Sequence, residues 1–136
     1  MLNKKDQETY SWQMDLPGFG EREQTILKST TALVTRVGGL GGPVAQSLVA
    51  AGIGKIILAH KGDLMRDDLN RQILMSSKWI GRPRVNCASL TLNNFNEDIE
   101  IISHNDNVNE DNIDEIISGS NIVFSCAPLF SERFVL

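Results

Sequence analysis

The residues between Ala32 and His60 constrain the fold more than any other part of the chain. Residues 32–37 (ALVTRV) form a run rich in β-branched side chains, a glycine turn follows, and residues 43–51 have the apolar and small-residue spacing of a helix packed on a sheet. Gly52 and Gly54 end that helix, and residues 55–60 (KIILAH) form the continuous apolar run of a strand buried on both faces. This strand–helix–strand order predicts two parallel strands and an α/β fold.

The rest of the chain continues the alternation of helix and strand. We predict helices at 21–29, 68–75, 84–94 and 108–117, with Asp67 or Asp68 near the cap of the second, and strands at 99–103 and 121–126, the last of them buried. The predicted fold is Rossmann-like, a mostly parallel sheet with helices on both faces. Residues 1–30 are expected to form an N-terminal helical segment and residues 31–136 a nucleotide-binding domain. Because residues 129–136 stop where a covering helix is expected, we interpret the chain as the N-terminal part of a longer, C-terminally truncated domain.

Composition excludes several functional classes. A net charge of -4 without a basic stripe argues against nucleic-acid binding, which depends on neutralising phosphates. The N-terminal residues lack the apolar region of a signal peptide, and Lys55 interrupts the most apolar stretch, so we predict no membrane contact and a cytoplasmic location. The two cysteines, Cys87 and Cys126, form no C-x-x-C pair and are expected to be small buried groups, and Trp12 and Trp79 are expected to pack internally.

The glycine turn is the first candidate site. Gly38, Gly39, Gly41 and Gly42 would let the backbone approach phosphate oxygens at the N-terminus of the next helix. A close-packing turn without a ligand is the alternative. Arg36 stands where a G-x-G-x-x-G motif has glycine, so either its backbone avoids the conformation reserved for glycine or the turn is reshaped, and its guanidinium could itself bind a phosphate.

Three further positions carry candidate chemistry. Arg71, flanked by Asn70 and Gln72, is predicted to contact a phosphate, with a solvated surface arginine as the alternative. His60 stands where an NAD-binding protein has an acidic residue for the ribose, and its alternative is a strand-end histidine at a solvated edge. Lys61 would suit a 2′-phosphate, so an NADP-dependent reductase remains open.

Five segments taken together resemble one family. In order they are YSWQMDLPGFG, VGGLGGPVA, GIGKIILAH, DLNRQILM and WIGRPRV, and with them the chain from Tyr10 to Arg133 resembles the ThiF/MoeB/HesA family of E1-like activating enzymes. Within that family it is most similar to the HesA-type branch, through VTRVGGLGG, GDLMRDDLNRQILM and CAPLFSER.

The resemblance implies ATP-dependent adenylation of the C-terminal carboxylate of a small ubiquitin-like or sulfur-carrier protein, with release of pyrophosphate. It implies ATP and Mg²⁺ as cofactors and a homodimer as the assembly. Arg71 and Arg84 are the implied catalytic cations on the phosphates. The other implied nucleotide contacts are the turn glycines together with His60, Asp68, Asn70 and Gln72.

The chain also departs from the family pattern. Arg84 replaces a lysine, Asp68 an asparagine, and His60 the aspartate on the ribose. Trp12 takes the place of an arginine that reaches into the partner's site. Ser125 and Pro128 align with the aspartates of the metal site, so no metal ligand is predicted here. A catalytically inactive relative that binds a nucleotide or a partner is therefore the alternative.

Overall fold

A four-stranded parallel sheet forms the centre of the molecule, and the computed structural model describes residues 1–136. The strands are β1 (Thr31–Thr35), β2 (Lys55–Ala59), β3 (Glu100–His104) and β4 (Ile122–Ser125), in the order β3-β2-β1-β4. Every neighbouring pair is parallel. The prediction of a Rossmann-like α/β fold is confirmed.

Seven α-helices surround or precede the sheet. They are α1 (Lys4–Thr9), α2 (Ser11–Met14), α3 (Glu21–Lys28), α4 (Gly41–Ala51), α5 (Arg84–Phe95), α6 (Ile113–Ile117) and α7 (Phe130–Phe134). Two short 3₁₀ helices, Arg66–Asn70 and Ser77–Trp79, lie between β2 and α5. No helix is both long and apolar enough to cross a membrane. The proposed division at residue 30 stays a prediction.

The core lies on both faces of the sheet because successive strand residues point in opposite directions. Val34 and Leu58 belong to a cluster that includes apolar residues of α4 and α5. Leu33 and Ile57 face the other way and pack with Ile116 of α6. Helices therefore cover both faces, as the sequence predicts, and β1 and β2 lie between two layers.

Two predicted helices are shorter than expected. The helix predicted at 68–75 is instead the 3₁₀ helix Arg66–Asn70, where the Asp68 carboxylate accepts the Met65 N–H. The helix predicted at 108–117 begins only at Ile113, because the side chains of Asn109 and Asn112 bind nearby backbone N–H groups. Such Asx turns compete with helix formation.

The prediction of a buried final strand was wrong. Strand β4 is an edge strand, and Ile122 is 46% exposed. The prediction that Trp12 packs internally was also wrong, because its side chain is 89% exposed, whereas Trp79 is half-buried. Cys87 is buried as expected, and Cys126 is half-buried. Apolar sequence alone did not distinguish a central strand from an edge strand.

Candidate functional site

A cavity of about 370 Å³ opens at the carboxyl edge of the sheet. Strands β1, β2 and β4 end in register there, and the residues that directly follow them are Arg36, His60 and Cys126. All three line the cavity. The chain leaves β1 toward β2 on one side and returns to β4 on the other, so the cavity lies at a switch point in strand order, where open α/β sheets bind ligands.

Most of the predicted site residues meet in this cavity. Its lining consists of Arg36, Gly38, Gly39, Leu40, His60, Asp68, Arg71, Gln72, Arg84, Cys126 and Pro128. Three predicted contacts, Gly41, Gly42 and Asn70, are outside the lining. The structure therefore places residues that are far apart in sequence around one opening.

Arg36 adopts the backbone conformation that glycine would take. Its φ is 63°, and it is the only residue other than glycine with a positive φ. Of the two alternatives from the sequence, avoidance of this conformation is wrong, and the left-handed backbone costs roughly 1–2 kcal/mol. The guanidinium is also committed, because Nε donates to Glu132 Oε2 at 2.8 Å and Nη2 donates to Glu132 Oε1.

The turn after Arg36 presents free backbone donors to the cavity. The N–H groups of Gly38, Gly39 and Leu40 donate to no acceptor in the chain, and the 11-residue helix α4 begins directly after them. Consecutive free N–H groups at a helix N-terminus form a binding site for an anion. This part of the turn has the properties of a phosphate cradle.

Gly41 serves a different purpose from the exposed part of the turn. A Cβ atom at this position would collide with the Arg36 carbonyl oxygen, whereas one at Gly39 would only touch the flexible side chain of Arg71 at 3.4 Å. Close packing therefore requires glycine at Gly41, whereas the space at Gly39 would admit a Cβ atom. The Gly41 N–H, like those of the three residues before it, donates to no acceptor in the chain.

Asp68 is the centre of the opposite wall. One carboxylate oxygen accepts Arg84 Nη2 at 2.7 Å, Arg84 Nε at 2.9 Å and the Met65 N–H at 2.9 Å. The other accepts Gln72 Nε2 at 2.7 Å. Burial alone would raise the pKa of Asp68, but the Met65 N–H and the Arg84 guanidinium outweigh it and hold the pKa below its usual value. Asp68 is therefore ionised at neutral pH.

The two predicted catalytic arginines differ in how far they are committed. Arg84 is largely enclosed and bound by two donors to Asp68. Arg71 is more than half exposed, lies over Gly39, and approaches Asp68 only to 3.5 Å, while its Nη1 donates to the Asp67 carbonyl and the Asn70 side chain. Arg71 is the lining cation with the weakest carboxylate contact. That both act on phosphates stays a prediction.

His60 and Gln72 bring unpartnered polar atoms to the cavity wall. His60 Nδ1 and Gln72 Oε1 are buried without a hydrogen-bond partner, and both side chains flank Gly38. His60 is only 6% exposed, so the interpretation of a solvated strand end was wrong. Burial, with the nearby Arg36 and Arg84 cations, lowers the pKa of His60 to about 4, so the imidazole is neutral at pH 7. Buried polar groups without partners are costly, so these two atoms call for an explanation.

The cavity fits a phosphate better than a metal ion. Its one lining carboxylate, Asp68, is bound to Arg84, and the nearby Glu132 is bound to Arg36. Pro128 lines the cavity without a side-chain oxygen, and no group of three or more potential metal ligands occurs among residues 1–136. These residues do not fit Mg²⁺, which needs free oxygen ligands.

Two residues outside the cavity wall also bear on the site, and only the first was expected from the sequence. Lys61, the candidate for a 2′-phosphate, is not part of the lining, and its ammonium lies 3.4 Å from Asp106. Glu132, which holds Arg36, escaped the sequence analysis because it lies 96 residues further along the chain. The only available signal was a cation in a glycine position, which indicates a partner but does not locate it.

Known proteins share both the sequence pattern and the fold. The model of the ThiF family matches residues 10–136. The protein HesA, heterocyst, of Trichormus variabilis is 48% identical over 99% of this chain and 51% of its own length. The adenylyltransferase and sulfurtransferase MOCS3 of Drosophila ananassae is 36% identical over 99% of this chain and 30% of its own length. The chain thus spans about half of HesA, and its higher identity to HesA agrees with the resemblance.

A solved structure provides the match in fold. The E. coli tRNA N6-threonylcarbamoyladenosine dehydratase TcdA, in complex with ATP, superposes with a TM-score of 0.91 at 20% identity, over 100% of this chain and 56% of that one. At this identity the match concerns the fold. The sheet order and the helices on both faces are therefore those of a known architecture.

Proposed function

The chain belongs to the ThiF family, and we propose that it binds ATP beside the glycine turn and helps to adenylate the C-terminus of a small ubiquitin-like or sulfur-carrier protein. The free N–H groups of Gly38, Gly39 and Leu40 are the observation that carries this proposal. They face a cavity that Arg71 also lines. Phosphate oxygens are the ligands that such donors prefer.

The other polar atoms of the cavity support a nucleotide rather than a bare anion. His60 Nδ1 and Gln72 Oε1 lack partners, and ribose hydroxyls can both donate and accept. A neutral His60 can make one such bond in place of the two that a carboxylate would accept. TcdA, which has the same fold, was solved with ATP, so the architecture accommodates this nucleotide.

The proposed reaction is transfer of an AMP group to a carboxylate. A carboxylate oxygen of the carrier protein forms a bond to the α-phosphorus, the bond from that phosphorus to the bridging oxygen breaks, and pyrophosphate leaves. Arg71 would stabilise charge on the phosphates, since its guanidinium is the most accessible in the cavity. Arg84 would contribute mainly through its electrostatic field, because its guanidinium is already bound to Asp68.

ATP–pyrophosphate exchange tests this proposal. The protein as its cell makes it is incubated with ATP, labelled pyrophosphate and small carrier proteins ending in a free carboxylate, and label in ATP is measured. We expect exchange that depends on the carrier and is lost with Arg71→Ala. No exchange with any carrier, despite ATP binding, would contradict the adenylation.

A second function is favoured by the paired charges of the cavity. Asp68 already binds Arg84, and Glu132 already binds Arg36, so two of the three arginines have carboxylate partners before any ligand arrives. We propose as the alternative a relative that binds a nucleotide, or a partner at this surface, without catalysis. ATP binding measured by calorimetry, together with no exchange, is the outcome that selects it.

The remaining implied properties are separate proposals. An NADP-dependent reductase requires tight NADPH binding without ATP binding in the same calorimetric experiment. A homodimer predicts a mass twice that of the chain in sedimentation equilibrium. A cytoplasmic location predicts recovery in the cytoplasmic fraction of the source cell.

A further inference from the structure

We propose, resting on the nucleotide-binding function above, that this site binds its nucleotide without a divalent cation. The resemblance to the ThiF/MoeB/HesA family implies Mg²⁺ as a cofactor, but the cavity has no carboxylate oxygen free to bind the ion. The side chains of the cavity thus lack the free carboxylate ligands through which proteins bind Mg²⁺. The proposal can therefore be tested by measuring how ATP binding depends on Mg²⁺.

Both carboxylates near the cavity are committed to arginine. Asp68 is 4% exposed, and its two oxygens accept Arg84, Gln72 and the Met65 N–H, all within 2.9 Å. Glu132 is 6% exposed and accepts two N–H groups of Arg36. A metal ion at either carboxylate would have to displace a buried guanidinium and leave it unpaired, which is costly.

The cavity supplies positive charge without a metal. The three lining arginines exceed the two carboxylates, and Arg71 is the one without a close carboxylate partner. The N-terminus of α4 adds a partial positive charge beside the free N–H groups of Gly38, Gly39 and Leu40. The residue at the end of β2 is His60 rather than a carboxylate, so no negative charge there opposes the phosphates. These groups can offset phosphate charge in the place of a cation.

Pro128 stands at the position that aligns with an aspartate of the family's metal site. It lines the cavity next to Cys126, on the segment that follows β4, and its side chain carries no oxygen. Hard cations such as Mg²⁺ are bound through carboxylates and water. A carboxylate introduced at this position would therefore face the phosphates and create a ligand that the natural chain lacks.

Calorimetric titration of the protein as its cell makes it tests the inference, with ATP in EDTA and in excess Mg²⁺. We expect the two dissociation constants to agree within about threefold, which is less than 1 kcal/mol. Tighter binding in Mg²⁺ by more than that factor would overturn the metal-free site while leaving the nucleotide function intact. Failure to bind ATP under both conditions would overturn both.

A variant with an added carboxylate should gain the dependence on Mg²⁺ that the natural protein is expected to lack. In Pro128→Asp we expect Mg²⁺ to tighten ATP binding about tenfold or more, because the new carboxylate faces the cavity. Leu129→Asp is the matched control, since this neighbour is exposed and outside the lining, and it should remain insensitive to Mg²⁺. A Mg²⁺ effect in Leu129→Asp as large as in Pro128→Asp would show that the cation acts through general charge, and it would count against the assigned geometry.

Discussion

The glycine turn and the wall that faces it contribute to one cavity in opposite ways. In the turn, backbone shape leaves N–H donors free, at Gly38, Gly39 and Leu40. In the wall, charged side chains satisfy one another, with Asp68 binding Arg84 and Gln72. A charged residue in a cavity is therefore not necessarily available to a ligand. Binding capacity here comes mainly from the neutral backbone and from Arg71.

The largest effect on stability is expected from removing the carboxylate at the centre of the wall. Asp68→Ala leaves the Arg84 guanidinium enclosed without its counterion, and removing one partner of a buried pair costs about 3–5 kcal/mol. Urea unfolding measures the loss. Asp67→Ala removes an exposed neighbouring carboxylate and should change stability by less than about 0.5 kcal/mol. Equal losses in the two variants would contradict a wall held by its own charges.

Changing the backbone shape of the turn should lower the free energy of unfolding by almost as much. Gly41→Ala forces a Cβ atom against the Arg36 carbonyl, and we expect a loss of about 3 kcal/mol in the free energy of unfolding. Gly42→Ala is the control, because its Cβ would meet only ordinary contacts of 3.7 Å or more. If Gly41→Ala unfolds at the same urea concentration as Gly42→Ala, close packing does not define the turn.

His60 is buried beside the glycine turn, and the dependence of stability on pH tests this burial. Its folded pKa of about 4 is below the ordinary 6.5, so the unfolded chain binds the proton more readily and stability falls as pH decreases from 6.5 toward 4. Between pH 7 and pH 5 we expect a loss of about 2 kcal/mol. The low pKa of Asp68 acts in the same direction, at lower pH.

His60→Gln separates these contributions in the same unfolding experiment. The variant retains a polar side chain but has no imidazole to protonate, so its stability should change little between pH 7 and pH 5. A slope as steep as that of the natural protein would assign the acid sensitivity to other groups.

Removing the free cation should affect binding rather than stability. We expect Arg71→Ala to weaken ATP binding about tenfold or more, since a charge-assisted hydrogen bond contributes roughly 1.5–3 kcal/mol. Calorimetry measures the affinity, and thermal unfolding should be nearly unchanged because the side chain is more than half exposed. Arg66→Ala is the control, because Arg66 is the first residue of the 3₁₀ helix that Arg71 follows and lies outside the cavity lining. Equal affinities in the two variants would show that Arg71 does not contact the phosphates.

The smallest effect concerns the backbone of Arg36. Arg36→Gly and Arg36→Ala both lose the ion pair with Glu132, but only glycine adopts a φ of 63° without strain. We expect the glycine variant to be more stable by about 1 kcal/mol. Equal stability in the two would mean that the turn relaxes when the ion pair is removed.

The sequence predicted the fold well because its signals were local. The β-branched run before Gly38, the helix after it and the apolar run ending at His60 each occupy one continuous segment, and the parallel sheet follows from their order. Errors arose where tertiary position decides the outcome. Strand β4 is apolar but lies at an edge of the sheet of residues 1–136, and the helix predicted from Asp68 to Met75 is instead the 3₁₀ helix Arg66–Asn70.

The candidate site could be predicted only as a set of residues. His60 and the glycine turn follow neighbouring parallel strands, and Arg71 reaches the same cavity from the residue after the 3₁₀ helix. The pairing of charges was not predictable, because Arg36 and Glu132 are 96 residues apart and Arg84 lies 16 residues from Asp68. Ion pairs of that separation depend on packing rather than on local sequence, and they decide which cation is free.

Amide NMR of the ¹⁵N-labelled protein can show whether a nucleotide phosphate binds the free N–H groups of the turn. On titration with ATP in EDTA, we predict the largest shifts at the amides of Gly38, Gly39 and Leu40, with Arg71→Ala reducing them. Largest shifts elsewhere, or none at saturating ATP, would contradict the account.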